Sequence, residues 1–186
     1  MNRDELLKKI IIFNEEIHRE NYQHLIGLKE ELDETSIYAK YKDLFTKTNI
    51  EELKKEIHTL LLEKRKTNHL LGFLIGNYIG NKLSKLSDEA AIFEAKAIVD
   101  FKGSKIAYRQ LRKLVTEQEN KENRDLVYKV EKPVKRKLLS YSIKILKAEL
   151  KLIKDLGYKD YIELISTLKE VDYFKLMQEL KPFLVE

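Results

Sequence analysis

The chain has 186 residues, with 36 basic and 31 acidic side chains for a net charge of +5, six glycines, two prolines and no cysteine. That length suits one domain with a buried core, and 54 Leu, Ile and Val residues exclude a disordered chain. The lack of cysteine excludes disulfides, thiolate nucleophiles and cysteine–zinc sites, and the scarcity of breakers favours long helices over many strands.

Asn2 with Glu5 makes a helix-start signature. Leu6, Ile10, Phe13 and Ile17 then form one stripe, continued after a one-residue slip by Leu25, Leu28 and Leu32. This predicts a helix of about 29 residues. Ser36 is read as the cap of a short second helix carrying Ile37, Tyr41, Leu44 and Phe45. Asn49 with Glu52 is read as the cap of a third, whose apolar positions Leu53, Ile57, Leu60, Leu61 and Leu71 run on toward Gly80. Gly72, Gly76 and Gly80 share one helical face. Helical glycines cost about 1 kcal/mol each against Ala, so a close crossing of another helix is expected there, with a helix end near Gly80 as the alternative.

Ser87 is read as the next cap, before the acidic turn Asp88-Glu89 and a helix bearing Ile92, Phe93, Ala97 and Ile98. The segment 99–106 suits a small hairpin turning at Gly103-Ser104. A helix capped by Ser104 is preferred, because Ala107, Leu111, Leu114 and Val115 have helical spacing. A further helix through Arg124, Leu126, Val127 and Val130 is expected to be interrupted near Pro133. The clearest helix runs from Val134 to Leu156. Its stripe Leu139, Ile143, Leu146, Leu150 and Ile153 steps by 4, 3, 4 and 3, and Leu138, Ile145 and Leu152 widen it. Gly157 ends that helix. Asp160 with Glu163 starts the next, and Asp172 the last, through Phe174, Met177 and Leu180 before Pro182. The expected fold is all-α: one bundle of seven or eight mostly antiparallel helices with a long N-terminal helical hairpin, residues 1–186 making a single helical domain.

Chemical motifs are scarce. Of the histidines His18, His24, His58 and His69, none belongs to a His-Glu-x-x-His pair. Glu15 with His18 is a lone Glu-x-x-His, short of what a di-iron bundle needs. Neither a phosphate-binding glycine loop nor a G-x-S-x-G elbow occurs. The carboxylate pairs Glu15-Glu16, Glu30-Glu31 and Glu51-Glu52 sit beside lysines and read as solvated faces. No catalytic, cofactor-binding or metal-ligating residue is therefore assigned. Residues 132–154 hold eight Lys or Arg against Glu149 alone. That stretch reads as a solvated outer face, and as a nucleic-acid surface only second, since Lys outnumbers Arg 29 to 7. The N-terminus lacks a signal-peptide core, and Leu70–Ile79 is shorter than the roughly 20 residues a bilayer span takes. A cytoplasmic protein with no membrane partner is expected.

One region resembles a known family. The run from Gly103 to Tyr128, a long helix, and then Leu156-Gly157-Tyr158-Lys159-Asp160-Tyr161 resemble the N-terminal helical part of the zinc oligopeptidases related to oligoendopeptidase F, thimet oligopeptidase and angiotensin-converting enzyme. The elements that carry this are the Arg124-to-Tyr128 step and the Leu-Gly-Tyr-x-x-Tyr turn. The resemblance implies a non-catalytic wall or lid of a peptide channel, whose partner is the catalytic half of the same protein, with short peptides as its cargo. Zinc would belong to that half. The His-Glu-x-x-His lies outside this chain, so no zinc or catalytic residue carries over and no activity is expected from the chain alone. The resemblance makes the chain the front part of a longer protein and implies apolar surface left uncovered near the last two helices. The alternative is a stand-alone helical interaction module.

Overall fold

A computed structural model describes residues 3–57, 64–118 and 120–184. In chain order these form α1 (Arg3–Leu25), α2 (Glu34–Lys40), α3 (Lys47–Ile57), α4 (Lys64–Lys96), β1 (Ile98–Phe101), β2 (Ser104–Ala107), a 3₁₀ turn (Tyr108–Gln110), α5 (Leu111–Glu117), α6 (Lys121–Asp155), α7 (Tyr161–Lys169), α8 (Tyr173–Leu180) and a second 3₁₀ turn (Lys181–Leu184). The protein is all-α, with one two-stranded hairpin among the described residues. It divides into two compact units, Met1–Tyr41 with Leu83–Leu146, and Lys42–Lys82 with Lys147–Glu186.

In the first unit, Leu6, Ile10, Phe13 and Ile17 of α1 are buried, as their spacing predicts. The Phe13 ring packs on Tyr38 and Tyr41, centroids 5.3 and 5.4 Å away. The helix has 23 residues rather than 29. Gly27 takes φ +79°, and the Leu28 N–H turns back to the Gln23 carbonyl at 3.0 Å. The one-residue slip in the stripe is this left-handed helix stop, open to glycine without steric cost. The cap expected at Asn2 lies outside the described residues.

Asp33, not Ser36, caps α2; its carboxylate accepts from the Ser36 N–H at 3.0 Å. A second carboxylate serves the same helix end from α4. Asp88, itself buried, accepts from the Glu34 and Thr35 N–H groups (3.2 and 3.0 Å) and from the Thr35 hydroxyl (2.6 Å). A negative charge at a helix N-terminus is stabilised by the exposed amides and the helix dipole. The expected cap at Ser87 is wrong for this reason: α4 runs through Ser87, and Asp88 after it serves another helix.

The preferred helix at Ser104 is also wrong. Residues 98–107 pair as an antiparallel hairpin, Val99 opposite Ile106 and Phe101 opposite Ser104. The loop is Lys102-Gly103, φ +57° and +79°, the two positive values that a tight hairpin turn demands and that glycine meets most easily. The Asp100 carboxylate accepts from the Gly103 N–H at 2.9 Å. Val99 and Phe101 point inward and join Leu111, Val127 and Val134 in one cluster. That cluster explains a further correction. α6 continues through Pro133 instead of breaking there. An internal proline costs about 3 kcal/mol, but Val127 and Val134 on either side of it are buried, and burying such side chains returns about 1.5–3 kcal/mol apiece.

In the second unit Leu44, Phe45, Ile50, Leu53, Leu70, Leu71, Leu74, Ile75, Ile153, Leu156 and Leu164 are buried. Thr46 rather than Asn49 starts α3, its hydroxyl accepting from the Asn49 N–H at 3.1 Å. The Asn49 side chain instead donates to the carbonyls of Asp43 and Leu44. Leu60 and Leu61 lie outside the described residues. α4 is unbroken past Gly80, and the glycine face meets no tight crossing at the positions described. A Cβ on Gly72 would lie 3.5 Å from Leu168 of α7, an ordinary contact, and one on Gly76 would meet nothing within 4 Å. Gly157, at φ +89°, ends α6 as predicted, and Lys47 and Lys54 donate to the Asp155 and Leu156 carbonyls (2.6 and 2.7 Å). Lys54 also lies 4.6 Å from the Tyr158 ring centroid. Asp160 and Asp172 cap α7 and α8 as expected, accepting from the Glu163 and Lys175 N–H groups.

Candidate functional site

The apolar residues of α6 fall into two faces. Val134 is buried and Leu138, Tyr141, Ile145, Ala148 and Leu152 are half-buried, a set stepping by 4, 3, 4, 3 and 4 that faces the protein. Phe93 packs on Tyr141 at 6.2 Å. The other face carries Leu139, Ile143, Leu146 and Leu150, which stay 58%, 43%, 54% and 38% exposed; only Ile153 at its end is buried. The stripe expected to be the core is thus mostly outside, and the residues expected to widen it are the ones that pack. Both sets obey the same period, so spacing could not choose between them.

Cations border the outward face. Arg136, Lys144, Lys147, Lys151 and Lys154 are exposed. Lys137 and Lys144 lie 5.3 and 5.9 Å from the Tyr141 ring centroid. Among the described residues, the ion pair along α6 joins Lys135 to Glu131 at 2.5 Å.

The second uncovered surface is α8. No residue of this helix is buried. Phe174, Met177 and Leu180 are about half exposed, and Phe183 in the following turn is 80% exposed. This is the region where uncovered apolar surface was expected.

The first unit holds a cleft of about 500 Å³ between the hairpin's downstream turn, α5 and α6, lined among others by Tyr108, Arg109, Arg112, Tyr128, Glu131 and Lys135. Burial pushes the Tyr108 hydroxyl above its ordinary range, with Glu131 adding to it, and Glu131 likewise holds Lys135 protonated beyond its usual range. Both shifts move protons away from exchange at neutral pH, so these two groups are poorly suited to general acid–base work. Arg109 is committed elsewhere: it donates to the His24 carbonyl (3.2 Å) and lies 2.7 Å from His24 Nε2. A guanidinium only donates, so Nε2 is the accepting side of that contact. His24 is a buried packing histidine, and His18 and His69 are exposed; His58 lies outside the described residues. Among the described residues no group of three or more His, Asp or Glu is placed to hold a metal. No described helix is long and apolar enough to cross a membrane.

One carboxylate of each pair is tied to a lysine. Glu16 meets Lys40 (2.8 Å) and the Tyr41 hydroxyl, Glu31 meets Lys96, and Glu51 meets Lys54. Of the residues carrying the peptidase resemblance, Arg124 donates to the Gln118 carbonyl just before α6 (3.0 Å), Tyr128 lines the cleft, and Tyr158 is buried beside Lys54. Sequence reasoning missed the outward stripe of α6; the regular 4-3-4 steps and the cations beside them were its only trace. No family model, curated protein or solved structure matches the chain.

Proposed function

We propose that this chain is a non-catalytic helical interaction module that binds another protein through its uncovered apolar faces. The carrying observation is α8, an amphipathic helix with no buried residue. Apolar surface left in water is unfavourable by about 25 cal/mol per Å², and contiguous uncovered apolar surface marks interaction sites. The test is a photocrosslinking side chain introduced at Met177, with Lys82 as a control, in the cells that make the protein. A discrete protein adduct formed from Met177 and absent from Lys82 is the expected result. Equal, diffuse labelling from both positions removes the reading.

A second reading makes the covering partner the catalytic half of the same protein, a zinc oligopeptidase, with this chain as a wall of its peptide channel. What favours it is the Leu156-to-Tyr161 element, a left-handed Gly157 followed by a buried Tyr158 and a capping Asp160, set just before two helices rich in exposed apolar residues. The coding sequence past Glu186 tests it: a His-Glu-x-x-His downstream supports it, and its absence ends it.

A further inference from the structure

Resting on the interaction-module reading, we propose that the outward face of α6 receives an acidic amphipathic helix. That helix would seat its apolar seam on Leu139, Ile143, Leu146 and Leu150, and set carboxylates against Lys147 and Lys154.

Helix geometry carries the first part. α6 is one uninterrupted helix, so positions on its own surface are related by 100° per residue. The four exposed residues then lie within a strip about 60° wide. Their 4, 3, 4 steps are the heptad spacing, with Ile143 and Leu150 at one seam position and Leu139 and Leu146 at the other. A narrow seam of that period is what a second helix packs into, knobs into holes. A face meant only for solvent has no need of it, and a face meant for the core is broader.

Charge carries the second part. Lys147 and Lys154 fall within about 70° of the seam axis on one side, with Lys144 and Lys151 in the row behind. These are the rim positions from which long side chains reach a partner helix. The other rim carries Ser142, Glu149 and Lys135, the last already paired with Glu131. The charge is therefore one-sided, and it selects a partner with acids along one rim. A duplex would want cations without an apolar seam between them. A bilayer surface would favour cations on both rims and aromatic anchors in the seam, where this one has only Leu and Ile.

The probe is a peptide of about three heptads with Leu and Ile at its seam and Glu at its rim positions, beside a twin with Lys at the rim. Binding to the full chain is read by fluorescence anisotropy at low and physiological salt. The Glu peptide should bind at least tenfold more tightly than the Lys peptide, and Lys147→Glu with Lys154→Glu should reverse the order. Ile143→Asp with Leu146→Asp should abolish binding of both while leaving the circular dichroism spectrum unchanged. Equal binding of the two peptides, sensitive to the Asp variants, overturns the acidic partner and leaves the interaction module standing. Binding of neither peptide overturns the α6 docking face, while crosslinking at Met177 still judges the module. Displacement of the Glu peptide by duplex DNA or by phosphatidylserine vesicles at matched charge overturns it in favour of that surface.

Discussion

α7 and α8 begin alike and end differently. Each is short, nine and eight residues, and each is capped by an aspartate whose carboxylate accepts the amide three residues on. α7 buries Leu164 and rests Leu168 near Gly72 of α4, whereas α8 buries nothing, although its apolar and polar residues are the more sharply segregated. A cap decides that a helix starts. An apolar face decides that it wants a partner, and only tertiary packing says which partner. In α8 the want is visible, and none of its residues is buried.

The contrast is open to direct attack. The largest effect is expected from Leu164→Ala, a loss of about 2–4 kcal/mol in a urea titration, because the side chain is fully packed. Met177→Ala should stay within about 0.5 kcal/mol, as exposed substitutions do; equal losses from the two would mean that α8 is docked after all. Next come the caps. Removing an N-cap costs about 1 kcal/mol of helix stability, so Asp160→Ala should lower the urea midpoint. Asp172→Ala should instead raise hydrogen exchange in α8 alone and leave the midpoint in place. The smallest effect is a pH dependence at the end of α7. At its end Glu170 pairs with Lys64 at 2.6 Å and with Asn68 at 3.2 Å. Lys64 holds the Glu170 carboxyl below its ordinary value of 4.5. A carboxyl with a lowered folded value contributes its stability above the unfolded value, and loses it as pH falls through the folded one. Acidification below about 4.5 should therefore weaken the native state slightly more than in Glu170→Gln. An identical pH profile for the two proteins would remove this pair from the account.

Much of the fold could be read in the residues. The α1 stripe, the Asp160 and Asp172 caps and the Gly157 stop all have local causes, and local causes leave local traces. The failures share a different physics. Ser87 looks like a cap only if Asp88 serves its own helix; in fact that carboxylate serves α2, more than fifty residues away. Ser104 has good capping chemistry, but Val99 and Phe101 gain more by turning into the cluster with Leu111 and Val127. Pro133 is a breaker until its buried neighbours outweigh it. The docking face was hidden differently. α6 is apolar on two sides with the same period, and a one-dimensional pattern has no inside or outside. Its cations are plain in the sequence, but only the exposure of Leu139 and Leu146 shows what they surround.

Lys47 and Lys54 belong to the lysine excess, yet they are not spare charge. Each is clipped to the last carbonyls of α6, where a cation also meets the negative end of the helix dipole. Acetylation would leave the carbon chain in place while removing the charge and two of the three donors. An enzyme that reads lysines as surface tags would here find two that work as fastenings, and modifying them would loosen the end of the longest helix among the described residues.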